Sequence, residues 1–180
     1  MYKRQVYYIS VKAIDKVGNV SDTVSSNGVI SDQEKPMTGL VVDGKNIDAE
    51  FTNTDTIYAN WSGFADSLSG ISRYEYALGT SPGSTDMIPW TDNGNLNKAS
   101  LSILLKDESI YYVSVQAVDM VGNASKVATS NGIVSDFVPP KIISVLPEEG
   151  KLLYLLHSTT INFSTSEPVS YTHLTLPTKA

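Results

Sequence analysis

An internal repeat with a period of 104 residues constrains this chain more than any other feature of its sequence. Residues 7–36 read YYISVKAIDKVGNVSDTVSSNGVISDQEKP, and residues 111–140 read YYVSVQAVDMVGNASKVATSNGIVSDFVPP. Aligned without a gap, 16 of these 30 positions are identical, and several of the others exchange Ile and Val. Because this period is the size of one small domain, the repeat predicts similar domains in series rather than one fold of 180 residues.

The period also predicts the domain boundaries. If residues 6–36 end one repeat, the next runs over 37–138, and a further segment occupies 139–169. The stretches 1–5 and 170–180 do not continue these patterns and resemble translated sequencing-adapter sequence, so we expect them to be artefacts. We therefore expect one complete domain flanked by two partial ones.

Apolar side chains alternate with polar ones in three segments of the central unit. The shared faces are Ile57, Ala59 and Trp61; Tyr74, Tyr76 and Leu78; and Tyr111, Val113, Val115 and Ala117. A period of two with β-branched and aromatic residues is typical of half-buried antiparallel strands. We predict an all-β fold, an antiparallel β-sandwich, with a structural core that contains Trp61, Tyr74, Tyr76, Leu105, Tyr111, Val113, Val115 and Ala117.

Two loops in the repeated segments share one pattern. Asp119-Met120-Val121-Gly122-Asn123 recurs as Asp15-Lys16-Val17-Gly18-Asn19. Glycine suits the positive φ of a tight hairpin loop, and Asp and Asn side chains commonly satisfy the backbone donors of such a turn. We therefore predict a hairpin turn at both places.

The placement of the aromatic residues resembles the fibronectin type III family. Trp61 lies on an early strand, and Leu105 precedes the pattern Tyr111-x-Val113-x-Val115. The resemblance covers about residues 37–138. It implies a tryptophan on strand B and a corner at which the hydroxyl of the tyrosine that starts strand F bonds back to the chain. Residues 6–36 then resemble strands F and G of a preceding copy.

Two further segments are similar to parts of bacterial surface proteins. The string GISRYEYALG at 70–79, followed by Trp90-Thr91, is similar to repeats of large secreted proteins of this kind. Residues 139–169 begin with Pro139-Pro140, contain Glu-Gly at 149–150 and end in Ser-Glu-Pro-Val. They resemble the start of a bacterial Ig-like domain, which implies that a second type of β-sandwich begins there.

Charge and composition exclude several classes of function. The net charge of −6 argues against a nucleic-acid-binding module, which usually has a basic face. No apolar run approaches the roughly 18 residues that span a bilayer, and the absence of cysteine excludes disulfides and thiolate sites. The two histidines, His157 and His173, lack the partners of a catalytic triad. We expect no enzymatic activity, no nucleic-acid partner and no membrane insertion.

The acidic loops leave calcium open as a ligand. The candidate ligands are Asp119 and Asn123, their copies Asp15 and Asn19, and Asp66. Calcium takes six to eight oxygen ligands, whereas the repeated loop offers two side chains. We therefore predict that these residues satisfy the turn and that the domain has no cofactor, with calcium as the alternative.

Three aromatic residues are expected to point outward. If Trp61 and Tyr111 point into the core, Tyr58, Trp90 and Tyr112 are the rings most exposed to solvent. Such rings either pair across strands or form a platform for a glycan, and cross-strand pairing is the commoner use.

These observations predict a non-catalytic structural module. We expect a spacer or adhesion unit from an extracellular tandem-repeat protein, secreted or anchored at a bacterial cell surface, whose partners are the neighbouring β-sandwich domains and a surface protein or glycan ligand. Short junctions that contain proline, such as Lys35-Pro36, would set semi-stiff angles between domains. The alternative is an accessory module, a spacer or carbohydrate binder, of a secreted multidomain hydrolase.

Overall fold

A computed structural model describes residues 5–146 and 162–169, and all regular elements in these residues are β-strands. The strands are β1 (Gln5–Tyr7), β2 (Ser10–Val11), β3 (Val24–Ser25), β4 (Val29–Ser31), β5 (Leu40–Asp43), β6 (Phe51–Thr52), β7 (Thr56–Ser62), β8 (Ile71–Gly79), β9 (Ile88–Asp92), β10 (Lys98–Ser102), β11 (Ser109–Asp119), β12 (Ala128–Thr129), β13 (Ile133–Ser135), β14 (Ile142–Leu146) and β15 (Asn162–Thr165). The chain divides into two compact units between Phe137 and Val138. The predicted all-β class is confirmed for these residues.

Two sheets of the first unit contribute to one hydrophobic core. In the three-stranded sheet, β7 lies between β5 and β10, whereas the second sheet has the order β6-β13-β11-β8-β9, with β12 also paired to β11. The buried apolar side chains of the core are Ile57, Ala59, Trp61, Phe64, Leu78, Leu101, Leu105, Tyr111, Val113, Val115, Ala117 and Ile133. One pairing is parallel rather than antiparallel, that of β6 with β13. Between β5 and β6 the chain passes from the three-stranded sheet to the second one, where β6 lies at the edge beside β13.

The period of two in β7 and β11 determines which side chains enter the core. In β7, Trp61 is buried and Tyr58 is exposed on the opposite face. In β11, the four residues from Tyr111 to Ala117 with the predicted spacing are all buried. The β8 strand is less regular: Tyr74 and Tyr76 are half-buried, and both Ala77 and Leu78 are buried. Ala77 points to the face opposite Leu78, and its short side chain is covered because β8 has a paired strand on each side, β11 and β9.

The first copy of the repeat has the same strand pairing as the second. β1 and β4 align Tyr7 with Val29, just as β11 and β13 align Tyr111 with Ile133. β2 and β3 reproduce the pairing of β11 with β12 in the same way, each residue shifted by 104 positions. Similar sequence therefore produces the same register in both copies.

Two serines extend the β11 ladder where the following segment is irregular. The N–H of Ser130 donates to the carbonyl of Val113 (2.9 Å), and Ser130 Oγ accepts the N–H of Val113 (3.0 Å). Ser125 makes the same two bonds with Ala117, at 2.8 and 3.0 Å. A hydroxyl thus takes the place of the carbonyl that a regular partner strand would provide.

The copies of these serines make the same bonds. Ser26 donates to the carbonyl of Ile9 (2.8 Å) and accepts its N–H through Oγ (3.0 Å). Ser21 is bonded in this way to Ala13, with both distances 2.9 Å. The repeat therefore preserves hydrogen-bond geometry as well as sequence.

The second unit, in the part that the structure describes, is a two-stranded antiparallel ladder of β14 and β15. Beside it, the N–H of Lys141 donates to Ser166 Oγ, and the N–H of Ser166 donates to the carbonyl of Lys141, both at 2.9 Å. Ile142 and Ile143 are exposed. Across all the described residues, no helix is long and apolar enough to cross a membrane.

Candidate functional site

The loop after β11 satisfies its own backbone through Asp119, which is 1% exposed. Asp119 Oδ1 accepts hydrogen bonds from the N–H groups of Val121 (3.0 Å) and Asn123 (2.7 Å). Asp119 Oδ2 accepts one from Asn123 Nδ2 (2.7 Å). Gly122 has a φ of 96°, which glycine adopts without strain. The turn predicted here is present.

These hydrogen bonds determine the ionisation of Asp119. Burial works to raise the pKa of this carboxyl, but the side-chain and backbone bonds from Asn123 and the backbone bonds of Val121 and Gly122 outweigh it. The pKa of Asp119 is therefore lower than its ordinary value. The carboxylate is ionised at neutral pH while both its oxygens are engaged by the turn.

The first copy of the loop has the same geometry in a more exposed setting. Asp15 accepts hydrogen bonds from the N–H groups of Val17 (2.9 Å) and Asn19 (2.8 Å) and from Asn19 Nδ2 (2.7 Å). The bond from the Asn19 side chain is the largest cause of a lowered pKa of Asp15. In both copies, the Asp and Asn proposed as calcium ligands bond to each other within the turn.

Asp66 organises a second loop in a similar way. Its Oδ1 accepts hydrogen bonds from the N–H groups of Leu68 (3.1 Å), Ser69 (2.8 Å) and Gly70 (2.8 Å). Burial and the charge of Asp119 both work to raise the pKa of Asp66, but the three backbone bonds lower it further, so the net shift is downward. The second oxygen, Oδ2, is not used in these bonds.

Asp66 and Asp119 converge with a third carboxylate, that of Asp32. One oxygen of each lies within 4.8 Å of the other two. Asp32 Oδ2 is buried and has no hydrogen-bond partner among the described residues, while the carbonyl of Asp32 accepts a bond from Asn123 Nδ2 (3.5 Å). The sequence analysis names Asp66 and Asp119 but not Asp32. The signal that could have drawn attention to Asp32 is the repeat, in which Asp136 occupies the equivalent position. The three oxygens that converge here, one from each carboxylate, are fewer than the six to eight that calcium takes.

The three aromatic residues expected to point outward lie on two separate surfaces. Tyr58 is on β7 in the three-stranded sheet, whereas Trp90 on β9 and Tyr112 on β11 belong to the other sheet. Tyr58 and Trp90 are exposed, and Tyr112 is half-buried. A single platform made of all three rings is therefore incompatible with the fold.

A groove of about 410 Å³ lies over Tyr58 on the outer face of the three-stranded sheet. The ammonium group of Lys45 lies 5.6 Å from the centre of the Tyr58 ring. Its lining includes Lys45, Asn46, Tyr58, Leu96, Lys98 and Ser100. Sequence reasoning identified only the outward tyrosine, because the lysines and Leu96 come from other parts of the chain.

A buried acid lies at the end of β5, directly before the loop that carries Lys45. Asp43 is fully buried, and its Oδ2 accepts the N–H of Gly132 (3.2 Å), whereas Oδ1 has no partner among the described residues. Burial raises the pKa of Asp43, the hydrogen bond from Ser130 opposes this, and Asp48 raises it further. Asp43 therefore holds a proton more readily than an ordinary aspartic acid.

Several features named from the sequence lie outside the described residues. They are His157, His173, the Glu-Gly pair at 149–150, and the terminal residues 1–4 and 170–180. No protein-family model matches the chain, and no curated protein matches it either. What the chain does must therefore follow from the geometry of its own residues.

Proposed function

We propose that this chain is a segment of a tandem array of β-sandwich repeats of the fibronectin type III kind, and that it acts as a non-catalytic spacer or adhesion module outside a bacterial cell. The observation that carries the proposal is a difference in exposure between the two copies of the repeat. The apolar face formed by β1, Ile9 and β2 is open to solvent, whereas the same face of β11 is covered. The exposed residues are Tyr7 (50%), Ile9 (72%) and Val11 (62%), and their buried copies are Tyr111 (1%), Val113 (0%) and Val115 (0%).

The packing of the second copy indicates which kind of sheet would cover the exposed face of the first copy. Tyr111, Val113 and Val115 share one core with Trp61 and Ile57 of the three-stranded sheet. Burying a side chain of this size contributes roughly 1.5–3 kcal/mol, so three exposed ones make an unfavourable surface for an isolated segment. A sheet like β5-β7-β10, from another repeat, would complete the first copy.

The junction between the copies suits a spacer. Pro36 is buried, and its ring restricts the backbone at this point. Just after it, the N–H of Met37 donates to the carbonyl of Ala65 (2.6 Å), and Thr38 Oγ1 donates to the carbonyl of Lys126 (3.5 Å). These bonds fix the first residues of the complete domain directly after Pro36, so little free chain remains at the junction, which favours a semi-stiff connection.

Composition supports an extracellular setting. The chain contains 23 Ser and 15 Thr but only 32 charged residues, 13 basic and 19 acidic, and no cysteine. Because the chain has no cysteine, its folding does not depend on a reducing compartment, and small hydroxyl residues take the place of much of the usual charge. The proposed location at a bacterial surface rests on this composition and on the resemblances described above.

Hydrogen–deuterium exchange on an extended chain tests the array. Residues 1–4 are replaced by a duplicate of residues 37–108, the stretch that precedes the second copy at residue 109. Amides of residues 5–31 should then exchange about 100-fold more slowly than in the unextended chain, because they become part of a closed core. Equal exchange in the two chains would contradict the proposal.

The matched control is the same extended chain with alanine at the duplicate's position that corresponds to Trp61. This change opens a cavity where the added sheet meets β1 and β2. It should reverse much of the protection while leaving exchange in residues 109–135 unchanged. Protection that survives the change would mean that the added segment acts without forming the expected core.

A further inference from the structure

The groove over Tyr58 joins an exposed aromatic ring to two positive charges on an acidic protein. Tyr58 is 39% exposed, and Leu96 beside it is 63% exposed. Lys45 and Lys98 flank the groove, and neither forms an ion pair with a carboxylate among the residues that the structure describes. A few polar groups around an apolar floor of this volume are typical of a ligand site.

We infer that this groove binds an acidic polysaccharide, with the C–H face of a pyranose ring on Tyr58 and a carboxylate of the sugar at Lys45 and Lys98. Asn46 and Ser100 are placed in the lining to bond the hydroxyls of the sugar. The inference rests on the proposed extracellular location and makes the adhesion role specific.

One wall of the groove is held in place by backbone bonds. The N–H of Gly44 donates to the carbonyl of Tyr58 (2.7 Å), and Asn60 Nδ2 donates to the carbonyl of Gly44 (3.2 Å). The N–H of Ala49 closes the loop onto the carbonyl of Asp43 (2.6 Å). The loop that carries Lys45 is therefore fixed over the sheet before any ligand arrives.

The opposite wall is fixed by Asn93. Its Nδ2 donates to the carbonyls of Leu96 (2.8 Å) and Lys98 (3.1 Å). Between them, the carbonyl of Asn97 accepts the N–H of Trp61 (3.0 Å). Preformed walls lower the entropy lost on binding, which favours recognition of a small rigid ring.

The position of Lys45 suits exchange of one weak contact for a stronger one. At an exposed site, the contact of its ammonium group with the Tyr58 ring is weak. A carboxylate at the groove would draw the ammonium group into an ion pair and free the ring face for the sugar. The charge of the groove, opposite to that of the protein as a whole, selects an anionic ligand over a neutral one.

The fold favours a sugar over an acidic peptide. Extended peptides commonly bind by adding a strand to a free sheet edge. The floor of this groove is on β7, which is paired on both sides with β5 and β10. The backbone under Tyr58 therefore has no free edge. Because β10, which carries Lys98 and Ser100, is the edge strand of this sheet, an acidic peptide is the competing ligand that the test must include.

The test is a titration of the full chain with a galacturonic acid tetramer, followed by amide chemical shifts in NMR spectra. Shifts should concentrate on residues 44–46, 58 and 96–100. The methyl ester of the same tetramer, which lacks the charge, should bind at least about ten-fold more weakly. Equal binding of acid and ester, or no binding of the acid, would overturn the inference.

Substitutions test whether binding depends on the groove itself or on a general attraction between lysines and an anionic ligand. Tyr58→Ala and Lys98→Gln should each weaken binding about ten-fold or more, whereas Lys126→Gln, an exposed lysine elsewhere, should not change it. A glutamate peptide of the same charge is the competing ligand, and equal binding of the peptide would overturn the choice of a sugar. These results are independent of the exchange experiment on residues 5–31, so the two proposals can fail separately.

Discussion

The hydroxyl of Tyr111 accepts a hydrogen bond from the backbone N–H of Lys106 at 2.8 Å. The tyrosine is 1% exposed and begins the apolar face of β11, so its ring fills the core while its hydroxyl fixes the chain just before the strand. The bond links the packing of the core to the path of a loop five residues upstream.

Replacing Tyr111 with Phe should remove this bond and keep the packing. The N–H of Lys106 would lose its partner in a partly buried place, so we expect the free energy of unfolding to fall by about 1–2 kcal/mol. Urea denaturation of the full chain measures this. The matched control is Tyr112→Phe on the other face of β11, where the hydroxyl has no hydrogen bond among the described residues, and its change should stay under about 0.5 kcal/mol.

Replacing Trp61 with Ala should be more costly. Trp61 is 2% exposed and its ring meets that of Tyr74 edge to face, with centroids 5.8 Å apart. The cavity left behind should lower the free energy of unfolding by roughly 3–5 kcal/mol. Trp90→Ala, at a residue 37% exposed, should cost under about 1 kcal/mol when both are followed by circular dichroism in urea. A similar small loss for both would argue against the core assigned to Trp61.

Replacing Asp43 with Asn should change the dependence of stability on pH. Burial raises the pKa of Asp43 above its unfolded value of about 3.9. The hydrogen bond from Ser130 opposes this effect, and the neighbouring Asp48 adds to it. A group whose pKa is raised on folding stabilises the fold fully below the unfolded pKa, and this contribution is lost as the pH rises through the folded pKa. The melting temperature of Asp43→Asn relative to wild type should therefore increase from about pH 4 to about pH 7. A constant difference over this range would contradict the prediction.

Replacing Asp32 with Asn should stabilise the protein against unfolding when a chelator keeps divalent cations away from the carboxylates. One carboxylate oxygen of Asp32 lies within 4.8 Å of an oxygen of Asp66 and of Asp119, and Asp32 Oδ2 has no hydrogen-bond partner among the described residues, so the wild type holds three carboxylates together. An amide removes one charge and can donate to either neighbour, which should raise the free energy of unfolding by about 0.5–1 kcal/mol. Asp22→Asn, at an exposed residue, is the control in thermal melts. A lower melting temperature for Asp32→Asn would mean that this carboxylate makes a favourable interaction.

Local patterns in the sequence predict local structure well in this chain. The period of two over residues 57–61 places Trp61 inside and Tyr58 outside, and the shared Asp-Gly-Asn loop predicts the turn at Asp119. These features depend on side chains a few positions apart. They are set by strand geometry and by turn chemistry, which a single sequence contains.

Relationships between distant segments could not be predicted in this way. The parallel pairing of β6 with β13 depends on where the chain crosses between sheets. Asp32 meets Asp66 and Asp119 because the junction folds back onto two loops of the next domain. The groove over Tyr58 likewise forms only when residues near 45 and near 98 are brought to one face. Each of these depends on tertiary placement rather than on spacing along the chain.

The serines that bond to β11 have a consequence for neighbouring copies of the repeat. An unpaired strand edge is a template for the strand of another domain, and adjacent domains of similar sequence are prone to such misassembly. Val113 and Ala117 leave no backbone donor or acceptor free on that side, because Ser130 and Ser125 engage both groups of each residue. The same device recurs in the first copy. At these two positions the side of β11 that faces the short strands β12 and β13 is thus closed, which removes one place where a strand of a similar neighbouring repeat could add.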